Sequence, residues 1–469
     1  MQAGARLFDA AETALLWGLA ALVIWAPMPL ASNRMWSWSL LGLGMALLLL
    51  LWSVLYLVDR NRFPPFRRAL FVPVFLFGLT CLVVAVQAVC LPGTGVGHPV
   101  WGLVAGLDGV DTCSSFSVER DRTWTALGRL LTYGAAFWLA IQVTASTTCA
   151  RRMLTAIALS ISGYAAYGLL IHFMNVKPDI FFEHWDNSGF VTSTFINRNS
   201  FAAFAGMGAV ACLGRVLHKV LALTADNRTS PFKALAIAGS DHIIYVAGGL
   251  ICLTAVVLTA SRAGVSATLV GLVFLVATTC LHHKVPWRWW VAFTGAVLLL
   301  ALLIVVGGGN HLLNRVEQID VDIAGRQVVI GSTLEGAARH PWIGVGYGAF
   351  EDAWPAYRPP GVDKWFRRAH STYAENLLEL GYPAAIALTL GFVWVLACCL
   401  RGLVRRRRNG IFPSVAFAAV MVPVVHSTID FSLQMPAVML TVSVLLGIGF
   451  GQSFSTRAQE SSPEGAVGA

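Results

Sequence analysis

The sequence predicts an all-α polytopic membrane protein. Three observations predict it: 57% of its 469 residues are hydrophobic, only 12% are charged, and the apolar residues gather into long runs. A spanning helix needs roughly 20 apolar residues. About twelve such runs follow one another near 12–31, 37–58, 69–91, 125–146, 153–174, 201–222, 242–260, 263–281, 288–307, 371–400, 412–428 and 432–452.

The first run lacks a short apolar core followed by a small-residue cleavage site, so it reads as a retained helix and not a removed signal peptide. Basic residues mark the loops that follow: Arg60 to Arg68, Arg151 and Arg152, Arg215 to Lys233, His282 to Arg288, and Arg401 to Arg408. With twelve helices these loops share one face, which the positive-inside rule makes cytoplasmic, and both termini lie there too. The formal net charge of +9 is then a topology signal, and it does not point to a nucleic-acid partner.

Between the third and fourth runs, Cys90 and Cys113 flank an outer loop and leave a disulfide open; the other cysteines are scattered as small core residues, without metal-ligand spacing. Residues 242–281 are almost continuously apolar. As one helix they would span about twice the bilayer thickness, so the chain must turn near Ser261 to Gly264. The longest outward segment, 308–370, separates the ninth and tenth helices. Within it, Arg326 to Arg339 has helical spacing of Val328, Val329, Leu334 and Ala337, which suggests an amphipathic helix on the membrane face. The tail from Ser453 has no periodicity and is expected to be a disordered cytoplasmic segment. There is no internal repeat, so residues 1–452 form one transmembrane domain capped by the 308–370 loop.

Chemistry has few places to sit in such a chain. Gly344-Val345-Gly346-Tyr347-Gly348 lacks the strand–helix setting and the Lys-Ser or Lys-Thr pair of a phosphate loop, so it reads as a tight turn or a close backbone approach. Arg198, Arg262 and Arg339 lie on the outer face, where topology calls for no cation. Each either snorkels at a helix end or serves an anionic lipid headgroup, for which a guanidinium fork is suited. Asn197 and Asn199, beside Arg198, read as helix caps. His370, where the long loop re-enters the membrane, is placed to act as a general base near neutral pH. Glu375 and Glu379 either orient it, bind sugar or form a plain helix pair, and Asp430 either pairs with an arginine or does not. Trp101, Trp124, Trp185, Trp342, Trp354 and Trp365 fall in or beside outer loops. Interfacial anchoring accounts for most, and sugar stacking is an option for those at 354–365.

The segment from Ala369 to Gly381 resembles the loop motif of the O-antigen ligase family, which reads His, then Asn, Ser or Gln, nine residues, Gly, two residues, and Gly, Thr or Tyr. His370, Ser371 and Gly381 match; Ala384 departs, small for small. The resemblance extends to Thr259–Gly264, Arg339–Gly346, Asn197–Asn199 and His426–Asp430, covering roughly residues 190–450.

It implies a GT-C-like membrane fold and transfer of a glycan from undecaprenyl diphosphate to a periplasmic acceptor, with no nucleotide sugar, metal or other cofactor. Arg198 and Arg262 match arginines assigned to the lipid diphosphate, and His370 the essential histidine. Arg339 and His340 match a landmark of less settled role. The expected partners are a lipid-linked donor, the lipid A core of lipopolysaccharide or a growing glycan as acceptor, and membrane lipid. The expected place is the bacterial inner membrane, with the site facing the periplasm. Polymerisation of O-antigen or exopolysaccharide repeats is the nearest alternative, transfer to protein hydroxyls another. Transport of the lipid-linked glycan is the rival from a different class; it would put charges or broken helices at the bilayer midplane.

Overall fold

In hydrocarbon every backbone N–H and C=O must find a partner within the chain, which leaves helices as the form for these apolar runs. The computed structural model describes residues 2–91, 97–105, 113–176, 189–224, 229–283, 295, 316–363, 365–406 and 409–454, and no strand occurs among them. The helices are α1 (Gln2–Trp25), α2 (Met35–Val58), α3 (Phe71–Ala88), α4 (Val100–Val104), α5 (Arg120–Val143), α6 (Thr147–Phe173), α7 (Arg198–Thr224), α8 (Pro231–Asp241), α9 (Ile243–Leu258), α10 (Arg262–His283), α11 (Val316–Arg339), α12 (Phe350–Ala353), α13 (Thr372–Arg405), α14 (Ile411–His426) and α15 (Pro436–Gln452).

Eight of these are long and apolar enough to cross a membrane, or nine if α8 and α9, bent by 89°, form one broken span. The apolar α14 and α15 are shorter, at 16 and 17 residues. Every expected span except 288–307 falls on a helix; that one, but for Gly295, lies outside the described residues, as do the first residues of the long loop and the tail from Ser455. The first helix ends at Trp25 and not near 31, because Pro27 and Pro29 follow and cannot continue the ladder.

At the centre stands α7, with 78% of its apolar window buried, against 17% for the peripheral α2. Its small residues let neighbours come close, as expected where lipid gives helices little hydrophobic reason to associate. A side chain at Gly264 would strike Ala202, and one at Gly206 would strike Thr268. These two contacts advance together along both helices, so α7 and α10 run parallel and begin at the same end of the bundle. Contacts of Gly206 with Val422 and of Gly214 with Val415 run the other way, so α14 is antiparallel and ends where α7 and α10 begin. The turn required near 261–264 is there: α9 stops at Leu258, Ala260 takes a φ of +50°, and α10 starts at Arg262.

A cap with its own core covers that end. Val329, Ala337, Val345, Phe350, Trp354, Phe366 and Leu378 are buried together. This corrects two expectations. The 326–339 helix is longer, beginning at Val316, and of its four apolar positions Val329 and Ala337 are buried, packing on the cap core and on α13, while Val328 and Leu334 face outward. Trp354 is wholly buried, stacks on Phe350 and donates its Nε1–H to Ser332 Oγ at 3.0 Å, so it cannot meet a sugar. Trp365, 54% exposed, still can. Cys90 and Cys113 are joined by a disulfide, with Cα atoms 5.5 Å apart, which ties the cap's outer loop to the end of α3.

Candidate functional site at the capped end of the bundle

Three helix N-termini meet beneath the cap, and each is built by short-range chemistry. Asn197 caps α7, its Oδ1 accepting from Asn199 N at 2.7 Å. Ser261 Oγ accepts from Gly264 N at 3.1 Å in the first turn of α10. Ser371 caps α13 by accepting from Ala374 N at 3.4 Å. Arg198 and Arg262 are the first residues of the parallel α7 and α10, so two guanidinium groups and two positive helix ends share one face, an arrangement that favours an anion. Arg198 stands 4.0 Å over the Phe190 ring, and Arg262 is exposed.

His370 precedes α13 in a left-handed conformation, φ +54°, uncommon for a residue with a side chain. Neighbours hold it there. Glu375, wholly buried, accepts from Ala369 N at 2.8 Å and from Arg368 at 3.0 Å, and the ring lies edge-on to Phe366 and Phe431. The Arg368 guanidinium is pushed further up its basic range by the facing Glu375 and Glu379 carboxylates, even though burial works against its charge. The His370 Nδ1 is 3.9 Å from Asp430 Oδ1.

Asp430 organises the site. It is fully buried and accepts from Asn199 Nδ2 at 2.8 Å and from Phe431 N at 2.8 Å, with Arg326 at 3.8 Å. Arg326 in turn donates to Ile429 O at 3.1 Å. One carboxylate thus connects the start of α7, the cap helix α11 and the His370 loop. Of the two asparagines read as caps, only Asn197 serves as one; Asn199 holds Asp430. At 3.9 Å the carboxylate is beyond hydrogen-bond distance of Nδ1, but its charge steadies the imidazolium once a proton is taken up. Arg326 and His426, whose Nδ1 lies 2.8 Å from Ser432 Oγ, were given no role of their own in the sequence, where they only open the predicted surface helix and the resembling His426–Asp430 stretch. Arg326 carries no signal beyond a polar position on a helix.

The other candidates take structural places. Glu375 and Glu379 are buried, so they do not form an exposed helix pair; Glu379 accepts from Phe350 N at 2.9 Å and locks α12 to α13. Arg339 lies 5.9 Å from the Tyr357 ring, and His340 stacks on His98 at 5.0 Å. Arg339 ends the helix on which Arg326 stands, thirteen positions on, which sets it about 20 Å from the Asp430 cluster along the axis. Burial, with the neighbouring Arg339, also pulls the His340 imidazole below its usual value. These two are therefore not brought to His370.

The glycine-rich loop seats the bend in α13. Gly344 has a φ of +73°, and a side chain there would come 2.4 Å from the Glu379 carbonyl oxygen. Gln87 donates to that carbonyl at 2.7 Å and accepts from Tyr347 N at 3.0 Å. Inside α13, Gly381 takes φ +71° and ψ 166°, a region open in practice to glycine alone, with Pro383 close behind. A side chain at Gly381 would lie 2.7 Å from the Trp342 backbone. Gly381→Ala is therefore expected to cost about 1–3 kcal/mol from backbone conformation alone, with the clash added. A lowered thermal midpoint of the purified protein checks this, and an unchanged midpoint would refute it.

Residues 247–389 match the family model described as O-antigen ligase. This stretch belongs to the O-antigen ligase family. No curated protein matches the chain. The O-antigen ligase segment holds Arg262, Arg326 and His370, whereas Arg198, Asn199 and Asp430 lie outside it and reach it only through the fold. The match supports an enzyme of the O-antigen ligase and polymerase type, a family that works in the membrane on lipid-linked glycan and an acceptor.

Proposed function

We propose that the chain transfers a glycan from undecaprenyl diphosphate to the lipid A core of lipopolysaccharide, at the periplasmic face of a bacterial inner membrane. The observation that carries this reading is the buried Asp430, shared between the His370 loop and the Asn199 beside Arg198. It couples a base to the one face where two arginines and two helix N-termini gather.

In this scheme the donor diphosphate lies against Arg198 and Arg262. An acceptor hydroxyl gives its proton to His370 Nε2 while its oxygen forms a bond to the anomeric carbon. The bond from that carbon to the diphosphate oxygen breaks, and the diphosphate leaves with the electron pair. Attack opposite the leaving group inverts the anomeric configuration in one step. A glycosyl diphosphate already carries its leaving group, so positioning and stabilisation of the developing negative charge supply the catalysis. No second catalytic carboxylate is needed, in contrast to glycoside hydrolysis. Protonated His370 is stabilised by Asp430, an attraction on the order of 4 kcal/mol at that distance and an effective dielectric of ~20, before desolvation is subtracted.

A strain lacking the gene tests the acceptor. Long chains left on undecaprenyl diphosphate, with lipid A core bare, are the expected result. Cores carrying a single repeat would instead mean that the same site polymerises.

A further inference from the structure

At the end of the bundle away from the cap, α3 begins and α13 and α15 end. Trp394 Nε1–H donates to Ala69 O at 2.9 Å, which joins α13 to the turn before α3. A side chain at Gly402 would lie 2.2 Å from Ser453, so the last turns of α13 and α15 pack tightly. Two half-buried arginines meet in the angle between these three elements. Arg67 holds its guanidinium 5.0 Å over the Phe454 ring, and Arg406 donates to the carbonyl of Gln452, two residues earlier.

The charges gathered here have one sign. Arg67, Arg68, Arg401, Arg405 and Arg406 form no ion pair among the described residues, whereas the carboxylates of this end are engaged elsewhere, Asp9, Glu12 and Asp59 with Arg62 and Asp241 with Lys219. Burial, and then the charge of Arg406, pull the Arg67 guanidinium below its usual value; burial does the same to Arg406. Two like charges drawn partly out of water are costly unless an anion meets them. Arg401 and Arg405 follow Trp394 along one face of α13, seven and eleven positions on, and all three are exposed. A tryptophan with arginines beyond it marks the level where hydrocarbon gives way to headgroups.

We infer that Arg67 and Arg406 seat the phosphate of one anionic phospholipid, with Arg401 and Arg405 adding attraction and the acyl chains lying in the bilayer outside Trp394. A guanidinium fork matches phosphate oxygens, and basic pockets between spanning helices suit such headgroups. Free inorganic phosphate shares this chemistry. The exposed Leu390, Val393 and Trp394 argue for the lipid, since a free ion needs no apolar flank. The bound headgroup ties the start of α3 to the ends of α13 and α15. It acts on stability, not on the transfer chemistry at the far end.

The test uses the full chain, stripped of lipid in detergent, with one-to-one binding read by native mass spectrometry and the thermal midpoint followed beside it. Phosphatidylglycerol is expected to bind about tenfold or more tightly than phosphatidylcholine, the scale of two interfacial arginines, and to raise the midpoint. Arg67→Gln with Arg406→Gln should abolish the preference, and lysine at both positions should keep most of it. Arg151→Gln with Arg152→Gln, at exposed arginines of the same end, should leave it unchanged. Should the double glutamine variant at 67 and 406 fail to fold, the comparison of the two lipids on the parent chain still decides. Equal binding of both lipids, a preference that survives Arg67→Gln with Arg406→Gln, or one lost equally through Arg151→Gln with Arg152→Gln would overturn the proposal. So would a midpoint raised as much by inorganic phosphate alone. Phosphatidylglycerol binding that appears only after Glu460→Gln and Glu464→Gln would make the chain's own tail the occupant and overturn it too.

Discussion

Replacing His370 by alanine is expected to lower the rate of glycan transfer by about 10²–10⁴-fold, the usual contribution of a positioned general base. The loss should fall on kcat. The ring is held by Phe366, Phe431 and the Glu375-braced loop, and in the scheme above it does not touch the donor diphosphate. KM for the lipid-linked donor should therefore change little, the signature of an interaction made in the transition state. The measurement is initial rate against donor concentration with the purified protein in detergent. Full activity would remove His370 from the chemistry, and a raised KM at constant kcat would make it a binding residue instead.

Arg198→Ala and Arg262→Ala are each expected to reduce kcat/KM by about 10²–10³-fold, the scale seen when one group aimed at developing negative charge is removed. Lysine should restore only part of this at either position, because an ammonium keeps the charge but lacks the fork that grips two phosphate oxygens. The α7 and α10 caps, at Asn197 and Ser261, do not use the arginine side chains, so folding should survive both changes. Thermal midpoints close to the parent, together with the lost kcat/KM, would separate a substrate role from a structural one. Unchanged kinetics would mean that these arginines only snorkel at helix ends.

Much of the fold was legible in the residues because lipid imposes one rule on every segment. A run of about 20 apolar residues must be a helix, and the 242–281 run had to break. What failed to show was anything set by contact between distant segments. Arg326 looked like one polar position on a surface helix, yet it reaches Asp430 more than a hundred residues away. Asn199 looked like a cap because cap chemistry is local, whereas its partner comes from the far end of α14. Trp354 was open to a sugar role because a tryptophan in an outer loop does not reveal that the loop has its own core. The His370 motif, by contrast, was readable because its cap, its brace and its bend all lie between Arg368 and Gly381.

The central claim is that one face of this bundle joins a lipid-linked glycan to an acceptor by direct displacement. The most direct measurement is a single turnover of the purified protein in nanodiscs containing undecaprenyl-diphosphate-linked glycan and lipid A core, with all products identified. The account predicts glycan joined to the core with inverted anomeric configuration, and one undecaprenyl diphosphate released for each glycan joined. Donor that remains intact, or a product whose anomeric configuration is retained, would contradict it.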